Sequence, residues 1–208
     1  MSENTSKMRQ EIIEIPQAVA RLLADGAPAI RKIAAGLRAR DPAFAISIAR
    51  GSSDHACSYF KYASEILLGI PVCSVGPSVA SIYKAPLKLQ NSISLAVSQS
   101  GKSPDIVEMA RAAGRDGAFS IALTNNPDSD LARVCQETID IHAGPELSVA
   151  ATKTFVNSVV AGLMLLAEWS EDLELQAALA RLPEHLAKAA ALDWPEVRAA
   201  IGAHKSLF

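Results

Sequence analysis

The chain is sparing in most of the features that betray a special class. Aromatic residues make up 5% of its 208 positions, and 20 Lys and Arg nearly balance 22 Asp and Glu, for a formal charge of −2. Neither sign gathers into a block, so nothing electrostatic argues for a nucleic acid or an anionic membrane as partner. Cysteine is scarce: Cys57, Cys73 and Cys135 are odd in number and widely spaced. Such a set excludes a disulfide framework and fits the reducing cytoplasm. The first ten residues are polar and lack the apolar core of a signal peptide. Long apolar runs are missing too. Ile66–Tyr83 is broken by Gly69, Pro71, Gly76 and Pro77, and Thr154–Ala167 has only the length of a buried core helix. With half of its residues hydrophobic, the chain is expected to fold around a real core.

Periodicity supplies the architecture. Residues 1–40 carry two apolar stripes at helical spacing, one through Ile12, Ala18, Val19 and Leu22, the other through Ile30, Ile33, Ala34 and Leu37. Pro16 predicts a break or a first-turn position, hence two helices. The period then changes. Phe44–Ala49, Val72–Val75, Ile93–Val97, Phe119–Leu123 and Thr138–Ile141 are short, apolar and β-rich. Between them lie helical patterns at Asp54–Leu68, Pro104–Arg115 and Asp128–Val134, with one short helix expected inside Gly76–Lys84. A long helix, Ala151–Trp169, and two or three alanine-rich helices over Leu173–His204 follow.

Short apolar strands alternating with helices predict a three-layer αβα sandwich on a five-stranded parallel sheet. Both the 3-2-1-4-5 order and the flavodoxin-like 2-1-3-4-5 order fit. We favour the second, which puts the loops after strands 1 and 3 side by side at the switch point. Those two loops hold the unusual chemistry.

The first is Arg50-Gly51-Ser52-Ser53-Asp54, where a strand turns into a helix. Free N–H groups at a helix start, joined by serine hydroxyls, suit a phosphate or sugar oxygen, although Ser53 as an ordinary N-cap would also account for the pattern. The second, Ser98-Gln99-Ser100-Gly101-Lys102-Ser103-Pro104-Asp105, is denser. An N-cap at Ser103 with Pro104 at the first helical position explains one serine. It leaves Ser98, Gln99 and Ser100, polar groups directly after a buried strand, as the makings of an anion cradle. A nucleotide P-loop is excluded, because Ala96 stands where its first glycine is required. The third segment, Gly144–Lys153, enters the long helix and offers Glu146 and Lys153, each either pocket-facing or a solvated charge. His55, His142, His185 and His204 show no metal-ligand spacing, no G-x-G-x-x-G occurs, and Gly76–Ala80 lacks the second glycine of a nucleophile elbow.

Three segments in order, Ala49-Arg50-Gly51-Ser52-Ser53, Ser98-Gln99-Ser100-Gly101-x-Ser103 and Val149-Ala150-Ala151-Thr152-Lys153, resemble the sugar isomerase (SIS) family, and in particular the isomerase half of glucosamine-6-phosphate synthase. Met8-x-x-Glu11-Ile12-x-Glu14-x-Pro16 and Glu65-x-x-x-Gly69-Ile70-Pro71 resemble it as well. The resemblance implies the flavodoxin-like SIS topology, a sugar-phosphate ligand and no cofactor or metal. It implies that Ser98, Gln99, Ser100 and Ser103 bind phosphate. Gly51, Ser52 and Ser53 would then contact phosphate or sugar, and Val149 and Ala151 would line the sugar.

Departures refine the expectation. The synthases show Cys-Gly-Thr-Ser and Ser-Gln-Ser-Gly-Glu-Thr, where this chain has Arg50-Gly51-Ser52-Ser53 and ends its second loop in Lys102-Ser103. Ser103-Pro104-Asp105 looks more like SIS-type amino-sugar-phosphate deaminases or isomerases. Ser2 follows Met1 where a glutamine-hydrolysing domain would carry its cysteine, so deamination or isomerisation is expected over glutamine-driven synthesis. The expected organisation is N-terminal helices over 1–40, a SIS domain over 41–170, and helices over 171–208 leading toward a second SIS domain. Ser206-Leu207-Phe208 reads as the opening of a further strand. In the double-SIS enzymes that second domain carries most of the proton-transfer residues, which leaves Glu146 as this chain's candidate for the catalytic base. A non-catalytic sugar-phosphate sensor is the rival expectation. The apolar helix at 151–169 suggests homodimer packing as well as core.

Overall fold

The computed structural model describes residues 6–203. The final Ser206-Leu207-Phe208 run lies outside them. Five parallel strands, β1 (Phe44–Ile48), β2 (Val72–Ser74), β3 (Ser92–Val97), β4 (Phe119–Thr124) and β5 (Glu137–Asp140), form one sheet in the order β2-β1-β3-β4-β5. This is the 2-1-3-4-5 arrangement. β1 aligns with β3 over its whole length, from Phe44 beside Ser92 to Ile48 beside Ala96.

Helices cover both faces. On one lie α1 (Lys7–Arg21), α2 (Ala27–Arg40), α3 (Ser52–Leu68) and α7 (Lys153–Trp169). They share a core with the strand residues Ala45, Ile93, Leu95, Val97, Ile121, Leu123 and Ile139. On the other lie the short α4 (Ser78–Ser81), α5 (Pro104–Arg115) and α6 (Asp130–Val134), packed on Ile46, Ile48, Ala96 and Ala122. Every strand of the central set is therefore buried on both sides, which is why these strands read as apolar runs rather than alternations. α8 (Leu173–Ala180) and α9 (Leu182–Ala190) pack against α7 and α1, while α10 (Pro195–Ala203) buries no residue.

Pro16 does not break the first helix. It lies inside α1, which continues because Ala18 and Val19 are fully buried against the rest of the core. The irregularity falls later, as a π-helical turn at Leu22–Gly26 that leads into α2 without leaving right-handed helical geometry. Asn157 of α7 steadies this corner. Its Nδ2 donates to the Ala18 and Ile141 carbonyls, at 3.1 and 2.7 Å.

One packing detail sets the level of the site. A Cβ at Gly162, in the third turn of α7, would come within 3.2 Å of the ring of Phe60, in the third turn of α3. Each helix follows a strand of the parallel sheet on the same face, α3 after β1 and α7 after β5, so both begin at its C-terminal edge. Twelve residues of α7 are buried, while Phe155, Val156, Val159 and Leu163 remain partly exposed along a groove shared with α8 and α9.

The cysteines are free, and burial pushes the Cys57 and Cys135 thiols up to about 12. Cys73 is exposed. A thiol-reagent titration of the folded protein near pH 8 should register one fast group, and all three only after denaturation. Three fast thiols in the folded state would contradict this packing.

Candidate functional site

The site forms where the crossover helices change sides of the sheet. α3 leaves β1 toward one face and α5 leaves β3 toward the other, although β1 and β3 are neighbours. Their first turns are consequently splayed around a common crevice, the usual ligand position in an open parallel sheet.

The cap of each helix decides what the crevice offers. Ser6, Ser129 and Asp172 cap α1, α6 and α8 in the ordinary way, each accepting a backbone N–H three residues on. α3 and α5 have no such cap. The N-cap of α3 is Gly51, at φ +58°, so the helix starts at Ser52, two residues before the sequence pattern places it, and Ser53 is not the cap. Ser103 occupies the N-cap of α5, yet its side chain makes no capping bond. Free N–H groups and two positive helix ends therefore meet at the switch point, beside the hydroxyls of Ser52, Ser53 and Ser103.

The second loop is rigidly held. Ser98 is buried, and its Oγ accepts the Gly101 N–H at 3.2 Å. The Gln99 carbonyl accepts the Asn125 N–H at 3.0 Å and the Thr124 hydroxyl at 3.3 Å. Ser100 Oγ accepts the Lys102 N–H at 3.3 Å, which tightens the turn. Gly101 is required twice over. Its φ is +62°, and a Cβ would lie 2.1 Å from Ser129 Oγ. Across the crevice, Arg50 pairs with Asp105 at 2.5 Å and ties the first loop to the first turn of α5. Arg50 is 69% exposed, so the pair contributes less than about 1 kcal/mol and serves mainly as a geometric tie.

The third segment closes the α7 side. Glu146 accepts hydrogen bonds from the N–H and hydroxyl of Thr152, each at 3.0 Å, and from the N–H and hydroxyl of Thr154. Both carboxylate oxygens are thereby engaged, and Glu146 is the cap of α7 rather than a free base. This also explains why α7 begins at Lys153 and not at Ala151. Lys153, which the sequence left between pocket and solvent, is 3% exposed and pairs with Glu14 of α1 at 2.5 Å. Glu11 of the same helix is buried and takes the Leu147 and Ser148 N–H groups together with the Ser148 hydroxyl. The Leu147 N–H, and after it the Ser148 hydroxyl, hold the Glu11 carboxyl below the usual carboxylate range. Val149 is fully exposed and Ala151 partly so. Sequence reasoning missed the roles of Arg50, Asp105, Glu11 and Glu14. The first two were legible only as charges, and the last two only as part of a motif.

Cavity size alone does not locate the site. A polar hollow of about 490 Å³, lined by Arg40, Asn91, Gly117, Phe119 and Gln136, lies at the opposite edge of the sheet, where the Arg40 guanidinium covers the Phe119 ring. Among the described residues no cluster of His, Cys, Asp and Glu is suited to a metal, and no helix is long and apolar enough to cross a membrane.

Comparison with known proteins decides the family. The SIS domain model matches residues 40–168. The chain belongs to the SIS domain family. It is 39% identical over 124 residues to glutamine–fructose-6-phosphate aminotransferase (isomerizing) of Thermus thermophilus, covering 59% of this chain and 20% of that enzyme. A candidate phosphosugar isomerase from Silicibacter pomeroyi has the same structure at TM-score 0.95 and 64% identity, over 96% of this chain and 61% of its own. The NanR protein of Vibrio vulnificus, solved with ManNAc-6P, shares the fold at TM-score 0.63 and 18% identity, over 88% of this chain and 68% of its own. The chain thus spans only a fifth of the Thermus enzyme. The region it matches there makes it an SIS domain homologous to the isomerase domain of that aminotransferase.

A pair of alanine variants tests the second loop of this SIS domain. Gly69 also has a left-handed φ, +68°, but open space around it. Gly69→Ala should cost about 1–2 kcal/mol of unfolding free energy from backbone strain alone. Gly101→Ala should cost clearly more, because Ser129 must also move. Equal losses in urea titrations would show that the loop has room to spare.

Proposed function

We propose that this SIS domain binds an amino-sugar or ketose phosphate of the glucosamine 6-phosphate and fructose 6-phosphate class. The phosphate is held between the starts of α3 and α5. The observation that carries this reading is the pairing of two uncapped helix N-termini with serine side chains at one switch point. Ser98, Gln99, Ser100 and Ser103 form the phosphate cradle, with Gly51, Ser52 and Ser53 opposite. Val149 and Ala151 form the sugar-side wall. A dianionic phosphate gains from both helix dipoles and from charge-assisted hydrogen bonds, each stronger than a neutral one.

The reaction class is aldose–ketose isomerisation or amino-sugar-phosphate deamination in the protein that carries this domain. Such chemistry moves a proton between C1 and C2 through an enediol and needs a base near an anchored substrate. This chain supplies the anchor. Because Glu146 is engaged as a helix cap, we assign the proton transfer to groups contributed by a second SIS domain or a second copy. The exposed row Tyr59, Tyr62 and Ile66 on α3 supports a homodimer, and three unpaired thiols support a cytoplasmic setting. A regulatory module that binds the same ligand without turnover is the second reading, favoured by the engagement of Glu146 with Thr152 and Thr154 and of Asp105 with Arg50.

Titration calorimetry with glucosamine 6-phosphate tests the site. Ser100→Ala and Ser103→Ala should each weaken binding by about 1 kcal/mol or somewhat more, roughly fivefold or beyond. Ser103→Ala should leave stability within about 0.5 kcal/mol, since its hydroxyl caps nothing. Unchanged affinity in both variants would move the site elsewhere.

A further inference from the structure

The segment 142–152 is the least regular part of the site, yet its backbone is firmly placed. Two local ties span it, from the Ser148 hydroxyl to the Ala150 carbonyl and from Thr152 to Glu146, and neither engages a backbone N–H between residues 147 and 151. Among the described residues, the Leu147 and Ser148 N–H groups have one acceptor, the carboxylate of Glu11, contributed from 136 and 137 residues away. One helical turn further along α1, Glu14 reaches the ammonium group of Lys153 at the other end of the same segment. The spacing of three places both carboxylates on one face of α1. Lys153 is 3% exposed, a position in which a charge persists only when paired. Leu147 and Val149, between these two grips, turn apolar side chains outward at 68% and 107% relative exposure. The hydrogen bonds are therefore spent on holding the backbone, and the side chains are left over to meet something else.

We propose that Glu11 and Glu14 are positioning residues for ligand: α1 clamps the segment 147–153 so that Val149 and Ala151 stand as the sugar-side wall of the phosphosugar site. The inference rests on the phosphosugar reading above and adds to it a specificity device outside the three loops. The clamp grips Leu147, Ser148 and Lys153, the residues that flank the sugar wall. The phosphate cradle is built by other residues, whose supports are Thr124, Asn125 and Ser129. The two halves of the ligand should thus separate under mutation. Loosening the clamp should blunt recognition of the sugar and spare recognition of the phosphate.

The test is calorimetric binding of two probes, glucosamine 6-phosphate and inorganic phosphate, to wild-type protein and to Glu11→Gln. The amide of glutamine turns one N–H donor toward the Leu147 and Ser148 donors and removes the charge. Affinity for glucosamine 6-phosphate should fall roughly tenfold, with phosphate affinity within about twofold of wild type. Ser148→Ala removes the hydroxyl bonds to Glu11 and to the Ala150 carbonyl and leaves both backbone donors to Glu11 in place. It should show the same selective loss at roughly threefold, and it decides the matter if Glu11→Gln does not fold. Parallel loss of both probes would reduce the clamp to a general support and overturn the proposal. Undiminished sugar-phosphate affinity in both variants would overturn it as well. If wild-type protein binds phosphate but gains nothing from the sugar, the wall itself is absent and the proposal fails with the cradle intact. If it binds neither probe, the phosphosugar reading fails and the clamp falls with it.

Discussion

One constraint governs the rest of the structure: β1 and β3 are adjacent in the sheet, and the helices that follow them cover opposite faces. A parallel sheet buried on both sides cannot avoid such a reversal, and at the reversal no helix lies over the edge. The splay leaves two first turns with donors pointing into the same gap. The chain then withholds what a helix start normally receives. Gly51 brings no side chain, and Ser103 brings one that does not bond back. By contrast α1, α6 and α8 receive side-chain caps from Ser6, Ser129 and Asp172, and the start of α7 receives the carboxylate of Glu146.

Around that gap the structure divides labour between near and far contacts. The second loop is fixed by its neighbours across β4, where Gly101 approaches Ser129 too closely for any side chain. The third segment is fixed from α1, far away in sequence. Glu146, Glu11 and Glu14 hold the start of α7 and the run before it. Acidic groups thus take up the donors on the α7 side, and the donors at α3 and α5 remain open.

Much of this was legible in the sequence. The strands alternate with helices strongly enough to predict the sheet, and the preference for 2-1-3-4-5 followed from the two serine-rich loops needing to meet. The serines and glycines of the site stand in contiguous loops, where local pattern is informative. What escaped was of two kinds. Some local choices were nearly degenerate: Ser52, Ser53 and Gly51 all make acceptable N-caps, and only the positive φ at Gly51 selects among them. Pro16 misled because tertiary burial of Ala18 and Val19 outweighs one lost helical hydrogen bond. Other features were long-range. A glutamate at position 11 carries no sign that its partners lie beyond residue 146, and Arg50 none that it reaches Asp105. Glu146 was read for its acidity, while its four donors come from two threonines whose hydroxyls gave no such hint.

A phosphate held between the open starts of α3 and α5 must perturb the backbone amides there. The most direct measurement is an amide chemical-shift titration of the protein with glucosamine 6-phosphate. Saturable shifts should concentrate at the amides of residues 52–54 and 100–105, with smaller ones at 147–151. Shifts centred instead on the polar hollow at the other edge of the sheet, around Asn91, Gly117 and Gln136, would contradict it. So would a spectrum that stays unchanged at millimolar ligand.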